Sequence, residues 1–318
     1  MPESHSIDPV LLSQLASLVP PHRLEVGVPL APLTTFRIGG PADLLVRVRS
    51  RDEMVGVMQC LREFGIAPVL LGHGANVLVS DAGIRGVVIR CEIGGIEWVD
   101  PHTVRAGSGV PVFHDLIDAT IARGLGGLHH YAGIPGTVGG ALWQNLHFLS
   151  PDRGRTCFIE EVVAGAEILT EEGEVHRVPR EYFEFGYDTS ILHYRNDTVL
   201  TADFRLAPEP LEELRHVVAA NLEWRDERHP DLWLYPCAGS IFKKIEGIGA
   251  GRLIDEVGLK GTTIGGAQIF RRHANIIVNL GGASASDVLA LIRLARDRVE
   301  QSTGYVLEPE IRLLGDFD

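Results

Sequence analysis

Two glycine-rich segments contain the residues best suited to hold a ligand. One reads GHGANV at 72–77, the other reads GIPGTVGG at 133–140, and GSG at 107–109 adds a third close turn. Glycine lets backbone N–H groups approach an anion closely, because no Cβ stands in the way. Tight turns alone would also explain the glycines, but two such loops favour a cleft that binds a diphosphate or a ring system.

Neither loop matches a common nucleotide-binding motif. A dinucleotide fingerprint needs a third small residue and then a helix, whereas this chain has Val77 followed by an apolar run typical of a strand. The second loop lacks the Gly-Lys-Ser/Thr ending of a P-loop. The histidines and cysteines show no HExxH and no paired-cysteine spacing, so the sequence predicts no metal site, and it contains no Gly-x-Ser-x-Gly nucleophile elbow.

Polar residues with catalytic potential occur in two further segments. Ser240 lies in CAGSIFKK, just before Lys243 and Lys244, where a turn or capping role would explain it. Glu308 and Glu310 flank a proline in LEPEIRLLG, and in a strand they would share one face as edge charges. These residues by themselves therefore do not establish a catalytic role.

Alternating strands and helices must position these segments. Periodicity predicts helices at 51–64, 112–122 and 286–301, and a further helix from Leu211 into the charged segment WRDERHPD. Ser284 or Ser286 is the expected cap of the last helix. Short apolar runs at 68–72, 76–80 and 86–92 predict a small sheet that folds back on itself, and 160–170 pairs with 173–179. The predicted class is α+β with two domains, 1–207 and 208–318.

Composition excludes several classes of protein. Hydrophobic residues make up 45% of the 318 residues, which excludes a largely disordered chain. The net charge of −13 makes nucleic acid a poor partner. The four cysteines are far apart, as expected for reduced thiols, and there is neither a signal-peptide pattern nor a membrane-spanning run. We expect a cytoplasmic protein; the sequence does not fix its oligomeric state, and a monomer is the working expectation.

Taken in order, these motifs resemble the UDP-N-acetylenolpyruvoylglucosamine reductase family, the UDP-N-acetylmuramate dehydrogenases. The resemblance extends from about residue 35 to residue 315. It is carried by TTFRIGGPAD, LGHGANVLVSD, AGSGVPVFHDL, AGIPGTVGGALWQN, FGYDTSILH, AGSIFKK, LIDEVGLKGTTIGGAQI, RRHANIIVN and LEPEIRLLG. The combination of AGIPGTVGGA with the final LEPEIR is highly specific.

The resemblance implies a fold and a reaction. The first domain would be an FAD-binding unit of the p-cresol methylhydroxylase and vanillyl-alcohol oxidase type, and the second would bind a UDP-sugar. NADPH would reduce non-covalent FAD, and hydride would then pass to the methylene carbon of an enolpyruvyl ether. The residues alone do not decide NADPH over NADH, and His73 leaves covalent flavin attachment open.

The same resemblance assigns roles to individual residues. Ser240 matches the family's proton donor, and Glu310 matches the glutamate that would hydrogen-bond the developing dianion. The predicted cofactor-binding residues are Gly72, Gly74, Ala75, Asn76, Gly133, Ile134, Pro135, Gly136, Thr137, Gly139 and Gly140. The predicted substrate-binding residues are Tyr187, Tyr235, Lys243, Lys244 and Arg195.

Three departures from the family pattern affect the predicted site. The family's FGYRxS carries an arginine where this chain has Asp188, and an aspartate facing a developing dianion would raise the barrier. Phe-Lys-Asn is here FKK, and NAGAYG is replaced by NLHFLS at 145–150. Arg195 and Lys244 are therefore the candidate replacements for the missing cation.

Two alternatives remain open at this stage. One is a flavin oxidoreductase of the same fold with another substrate, which the match in the second domain argues against. The other is a flavin-binding paralog without turnover. Its sole support is Asp188, and the presence of Ser240 and Glu310 argues against it.

Overall fold

A computed structural model describes residues 7–245 and 247–317. The α-helices are α1 (Pro9–Leu18), α2 (Arg51–Glu63), α3 (Ile117–Ile121), α4 (Val138–Gln144), α5 (Leu211–Arg228), α6 (Ala250–Glu256) and α7 (Ala285–Thr303). The strands are β1 (Leu24–Pro29), β2 (Pro41–Val48), β3 (Val69–Leu71), β4 (Val77–Val79), β5 (Ile84–Cys91), β6 (Ile96–Asp100), β7 (Thr103–Gly107), β8 (Leu125–Gly126), β9 (His147–Leu149), β10 (Thr156–Phe158), β11 (Val163–Leu169), β12 (Val175–Pro179), β13 (Thr198–Arg205), β14 (Ala207–Pro208), β15 (Thr263–Ile264), β16 (Ala267–Ile269), β17 (Ile277–Asn279) and β18 (Arg312–Leu314). None of the helices in these described residues has the length and apolar character to cross a membrane.

The first half of the chain builds two sheets. One has the order β1-β2-β5-β3, with β2 and β3 both parallel to β5, and α1 and α2 cover one of its faces. The other is antiparallel with the order β12-β11-β13-β7-β6, and it shares a core with α4. The predicted pairing of 160–170 with 173–179 is confirmed by β11 and β12. All four cysteines are buried and free, as expected.

The C-terminal layer packs α6 and α7 on the sheet β15-β16-β17. Ser284 is the cap of α7: its side chain accepts from the Asp287 N–H at 3.0 Å, and the Asp287 carboxylate accepts from the Ser284 N–H at 3.0 Å. The helix ends at Gly304, whose φ of +76° suits glycine. Its buried residues recur at the helical spacing that predicted this helix: Ala285, Val288, Leu291, Ile292, Ala295 and Val299.

The prediction that the three apolar runs fold back on each other is wrong. β3 and β5 are parallel neighbours rather than arms of a hairpin. β4 leaves that sheet and pairs in parallel with β18, with Val77 opposite Arg312 and Val79 opposite Leu314. The end of the chain is therefore joined by main-chain hydrogen bonds to the segment that directly follows the GHGAN loop.

A single helix at 112–122 is also not what forms. The α-helix is limited to Ile117–Ile121, and Phe113 has extended dihedral angles of −112° and 123°. The Val112 N–H donates to Gly136 O at 3.0 Å, so the start of this segment is held by the second glycine loop. The apolar periodicity of this segment thus serves packing around a bend.

Helix α5 follows the predicted domain boundary at 207/208 but packs against the first half of the chain. The Asn221 Nδ2 donates to His130 O at 3.0 Å, and the Trp224 ring meets Phe148 edge-on at 5.5 Å between centroids. The boundary itself stays a prediction.

Asp81 connects the loop after β4 to the start of α7. Its carboxylate accepts from the backbone N–H of Ala285 at 2.7 Å and of Ser286 at 3.0 Å, and from the Ser286 hydroxyl at 2.8 Å. These N–H groups have no partner within the helix, and the negative charge also favours a helix N-terminus.

We predict that Asp81→Ala lowers the free energy of unfolding by about 1–2 kcal/mol, because it leaves first-turn N–H groups unsatisfied. Asp297→Ala, on the exposed side of the same helix, should change it by less than about 0.5 kcal/mol. Urea unfolding of the two variants and of the wild-type protein measures both effects. Equal effects of the two substitutions would show that Asp81 adds nothing to helix stability.

Candidate active site

A cleft of about 910 Å³ runs between the glycine loops and the C-terminal layer. This volume is at the upper end of the range in which proteins hold ligands, about 300–1,000 Å³. Predicted residues that line it are Gly72, Gly74, Ala75, Asn76, Ile134, Pro135, Gly136, Thr137, Gly139, Gly140, Arg195, Ser240, Lys244 and Glu310. Gly133, Tyr187, Tyr235 and Lys243 do not belong to its lining.

The two glycine loops pack directly on each other to form one wall. A Cβ on Gly72 would come within 2.5 Å of Thr137 Oγ1, and Gly74 has a φ of +63° that a larger residue would adopt only with strain. The half-buried Arg90 guanidinium donates to Gly72 O and to Leu33 O, which fixes the first loop from behind.

Gly136 faces the open cleft, because a Cβ there would meet no atom within 4 Å. The wall thus presents bare backbone to a large concave space, which is what a flavin dinucleotide requires. His73 also lines the cleft, and burial together with the nearby Arg90 lowers the pKa of its imidazole. The residues present therefore fit FAD.

The segment that carries Ser240 is held on both sides by backbone contacts. Ile241 N–H donates to Asn275 O at 2.8 Å, and the buried Asn275 amide exchanges two hydrogen bonds with the Phe242 backbone, at 3.0 and 2.8 Å. On the other side, Glu310 N–H donates to Ile241 O at 2.7 Å. Ser240 and Glu310 therefore lie on adjacent backbone segments and open into the same cleft.

Glu308 and Glu310 do not share a face. The strand β18 begins only at Arg312, after a bridge between Pro309 and Phe242. Glu308 is exposed and pairs with Lys243 at 3.3 Å, whereas Glu310 faces the cleft. The interpretation of Glu308 and Glu310 as edge charges on one face of a strand is therefore wrong for Glu310.

The environment of Glu310 keeps its carboxyl protonated near neutral pH. Burial, reinforced by Asp188, raises its pKa to about 8, although Lys244 and Lys243 act in the opposite direction. A protonated carboxyl in a cleft can donate a hydrogen bond to an anion, which a carboxylate cannot do.

Asp188 lies inside the site with its side chain fully buried. Its Oδ1 accepts from Gln144 Nε2 at 3.2 Å and lies 3.6 Å from His147 Nδ1. Burial lowers the pKa of His147, so the ring is neutral and offers little compensation for the negative charge.

The two candidate cations occupy different surroundings. Arg195 pairs with the buried Asp197 at 2.8 Å and lies over the Tyr182 ring. Lys244 instead acts electrostatically on both His147 and Glu310, and its backbone N–H donates to the Tyr187 hydroxyl at 3.4 Å. Tyr235 packs beside Phe270 at 5.6 Å between ring centroids.

Several cleft residues carried no recognisable signal in the sequence. These are Gln144, His147, Arg225 and Arg312. His147 lies in the 145–150 segment where the family pattern changes, which was the available hint, whereas Gln144 lies in the matching AGIPGTVGGALWQN motif. Burial lowers the pKa of Arg225 to about 10, but the helical spacing of α5 does not tell which polar residues face a cleft.

Comparison with known proteins agrees with this geometry. A family model described as an FAD binding domain matches residues 42–179, and one described as the C-terminal domain of UDP-N-acetylenolpyruvoylglucosamine reductase matches residues 230–314. The expected α+β architecture, with an FAD-binding unit and a distinct C-terminal domain, is confirmed.

Similar proteins cover nearly the whole chain. The UDP-N-acetylenolpyruvoylglucosamine reductase 1 of Bacillus cereus is 39% identical over 296 residues, 92% of this chain and 95% of the relative. The Moorella thermoacetica reductase is 39% identical over 292 residues, 91% of this chain and 92% of the relative. The crystal structure of the Thermus caldophilus reductase matches with a TM-score of 0.76 and 33% identity, covering 92% of this chain and 99% of that one. This chain belongs to the UDP-N-acetylenolpyruvoylglucosamine reductase family.

Proposed function

We propose that this protein reduces the enolpyruvyl ether of UDP-N-acetylglucosamine enolpyruvate to UDP-N-acetylmuramate with NADPH, through non-covalent FAD, in peptidoglycan precursor synthesis. The observation that carries the proposal is the placement of Ser240 and Glu310 on adjacent segments of one cleft, whose lining also includes the bare backbone of the glycine loops. The family's cellular role supports a cytoplasmic location, and a monomer is the working oligomeric state.

Bound FAD supplies hydride transfer, taking hydride from NADPH and passing it to the methylene carbon of the substrate. The protein must then manage the negative charge at the carbon that bears the ether oxygen, since this charge spreads into the adjacent carboxylate. The site needs one proton donor at that carbon and hydrogen-bond donors or cations at the carboxylate.

Ser240 is the proposed proton donor. Its Oγ–H bond breaks as the new C–H bond forms, and the alkoxide left behind recovers a proton from water in the cleft. A hydroxyl is acidic enough for this step because the carbon is strongly basic. The two-sided backbone clamp through Asn275 and Ile241 fixes the main chain beside Ser240, which limits the ordering left for the transition state.

Glu310 and Lys244 are the proposed carboxylate-stabilising groups. Glu310 is protonated below a pH of about 8 and donates a hydrogen bond to the developing dianion. Lys244 supplies the positive charge, because it lies near Glu310 and is not held in an ion pair with any described residue of the cleft. Arg195 is oriented by Asp197 and serves the part of the ligand at that end of the cleft.

The direct experiment is turnover: purified protein, NADPH and the UDP-enolpyruvyl sugar should yield UDP-N-acetylmuramate, detected by mass spectrometry. A protein that binds FAD but reduces no enolpyruvyl sugar would refute the function.

Gly136→Val should abolish FAD binding, because the new side chain projects into the cleft where the backbone must approach the ligand. Gly281→Val is the matched control, since Gly281 also has a positive φ (+109°, against +157° at Gly136) and a Cβ there meets no atom within 4 Å, but it lies outside the cleft. Flavin absorbance per chain measures both. Full flavin content in Gly136→Val would contradict the placement of the cofactor.

Ser240→Ala should separate the two half-reactions. Flavin reduction by NADPH should stay near the wild-type rate, whereas reoxidation by the enolpyruvyl sugar should slow by about 10²–10⁴-fold, the usual contribution of a general acid. Stopped-flow absorbance measures each rate, with the exposed Ser302→Ala as control. Normal reoxidation in Ser240→Ala would mean that another group donates the proton.

Lys244→Ala should slow reoxidation by at least about 10-fold, because the developing dianion loses its cation. The loss for Arg195→Ala should be smaller, and Lys260→Ala, which removes a lysine paired with Asp255 outside the cleft, is the charge-matched control. The same stopped-flow assay applies. A larger loss in Arg195→Ala than in Lys244→Ala would reverse the assignment.

A further inference from the structure

Asp188 is a buried carboxylate that the proposed chemistry does not use. Its side chain has no exposed surface, and its Oδ2 has no hydrogen-bond partner in the described part of the chain. A buried carboxylate atom without a partner is costly, so its retention calls for an explanation.

The backbone around Asp188 holds this side chain in place. Asp188 has a φ of +54°, in the left-handed region that few non-glycine residues adopt. Gly186 N–H donates to Thr189 O at 3.0 Å and closes the turn around it. The turn therefore fixes the carboxylate rather than letting it swing toward solvent.

A hydrogen-bonded chain links Asp188 to the backbone of Glu310. Asn76 Nδ2 donates to Gln144 Oε1 at 3.1 Å and to Glu310 O at 3.4 Å. Because the amide oxygen of Gln144 is occupied by Asn76, its NH₂ group is directed to Asp188 Oδ1. The two amides thus join the side chain of Asp188 to the backbone of Glu310, and both residues line the cleft.

Charged and titratable groups from several elements face this pair. Asp188 in the 186–189 turn acts on the Glu310 carboxyl, and so do Lys243 and Lys244 in the segment after Ser240. Burial, together with Asp188 and Glu310, raises the pKa of the Tyr187 hydroxyl, and burial lowers the pKa of the His193 ring against the charge of Asp188. The His147 ring, which lies in β9, also faces Asp188, with 3.6 Å between His147 Nδ1 and Asp188 Oδ1. Of the two lysines, Lys243 is paired with Glu308 at 3.3 Å. Two neighbouring carboxyl groups in a low-dielectric site cannot both ionise easily, so one of them retains a proton.

We propose that Asp188 is a positioning residue that holds a proton on Glu310, so that Glu310 meets the substrate carboxylate as a hydrogen-bond donor while Lys244 supplies the positive charge. The inference rests on the proposed function. Glu310 is the member of the pair whose pKa is raised, first by burial and then by the charge of Asp188, so the retained proton lies on Glu310. Asp188 then assists the reaction indirectly, through the proton on Glu310. In direct contact with the dianion, the negative charge of Asp188 would instead oppose the reaction.

The test is the pH dependence of flavin reoxidation by the enolpyruvyl sugar. In the wild-type holoenzyme the rate should fall as pH rises through the pKa of Glu310, about 8. Asp188→Asn removes the neighbouring negative charge, which should move this alkaline limb to lower pH by about 1–3 units. Lys244→Met removes a positive charge and should move the limb to higher pH, even as the maximum rate falls.

A second measurement reports the proton directly and does not depend on turnover. Difference infrared spectroscopy of the holoenzyme should show the C=O band of a carboxylic acid that is absent in Glu310→Gln and that titrates at lower pH in Asp188→Asn. Asp188→Gly accepts the positive φ without strain and guards against a packing artefact in the asparagine variant. Glu308→Gln removes an exposed charge two residues from Glu310 and should leave limb and band unchanged.

The outcomes separate the two proposals. If the wild-type enzyme does not reduce the enolpyruvyl sugar, the proposed function fails, and the infrared titration still reports on Asp188. The enzyme could turn over while both Asp188 variants keep the wild-type alkaline limb of the reoxidation rate and the wild-type titration of the carboxylic-acid C=O band. In that case Asp188 does not hold the proton. Movement of the limb to higher pH in Asp188→Asn would also overturn the inference.

Discussion

The parallel pairing of β4 with β18 is the contact on which the geometry of the site depends. It places the end of the chain beside the GHGAN loop, and Asn76 then reaches the Glu310 backbone. The same terminal segment holds Ile241 through a main-chain hydrogen bond. The GHGAN loop, the Ser240 segment and the Glu310 segment are therefore connected by backbone hydrogen bonds. None of the three could move alone without breaking such bonds.

Electrostatics decides how this shared cleft can work. A chain with a net charge of −13 gives no general attraction to an anionic sugar nucleotide, so local groups must provide it. The cleft contains a neutral carboxyl, a buried carboxylate and a lysine within one network, and desolvation sets the balance among them. Replacement of an arginine by Asp188 is compatible with catalysis only if the positive charge and the proton are supplied by neighbours, which is the role proposed for Lys244 and Glu310.

Much of the architecture could be predicted from local patterns, and the errors have a common cause. The face of α7, its Ser284 cap and the β11–β12 hairpin follow from periodicity and turn chemistry over short distances. The partner of β4 could not be predicted, because three-residue apolar runs look alike and alternation does not specify which strand lies next to them. The bend at Phe113 was missed for a related reason: the apolar spacing of 112–122 fits a continuous helix and does not show that Val112 contacts Gly136 in another loop. Within the site, Ser240 and Glu310 were identified through family motifs, whereas Gln144 and His147 became visible only when the chain brought them beside Asp188.

The most direct measurement is the fate of solvent hydrogen in the product. With the wild-type holoenzyme, NADPH and the UDP-enolpyruvyl sugar in D₂O, a fixed proton donor should place deuterium on the carbon that bears the ether oxygen, in one configuration. Nuclear magnetic resonance and mass spectrometry of the isolated UDP-N-acetylmuramate would show it. A product with protium at that carbon, a mixture of configurations, or no reduced product would contradict protonation by a positioned hydroxyl in this cleft.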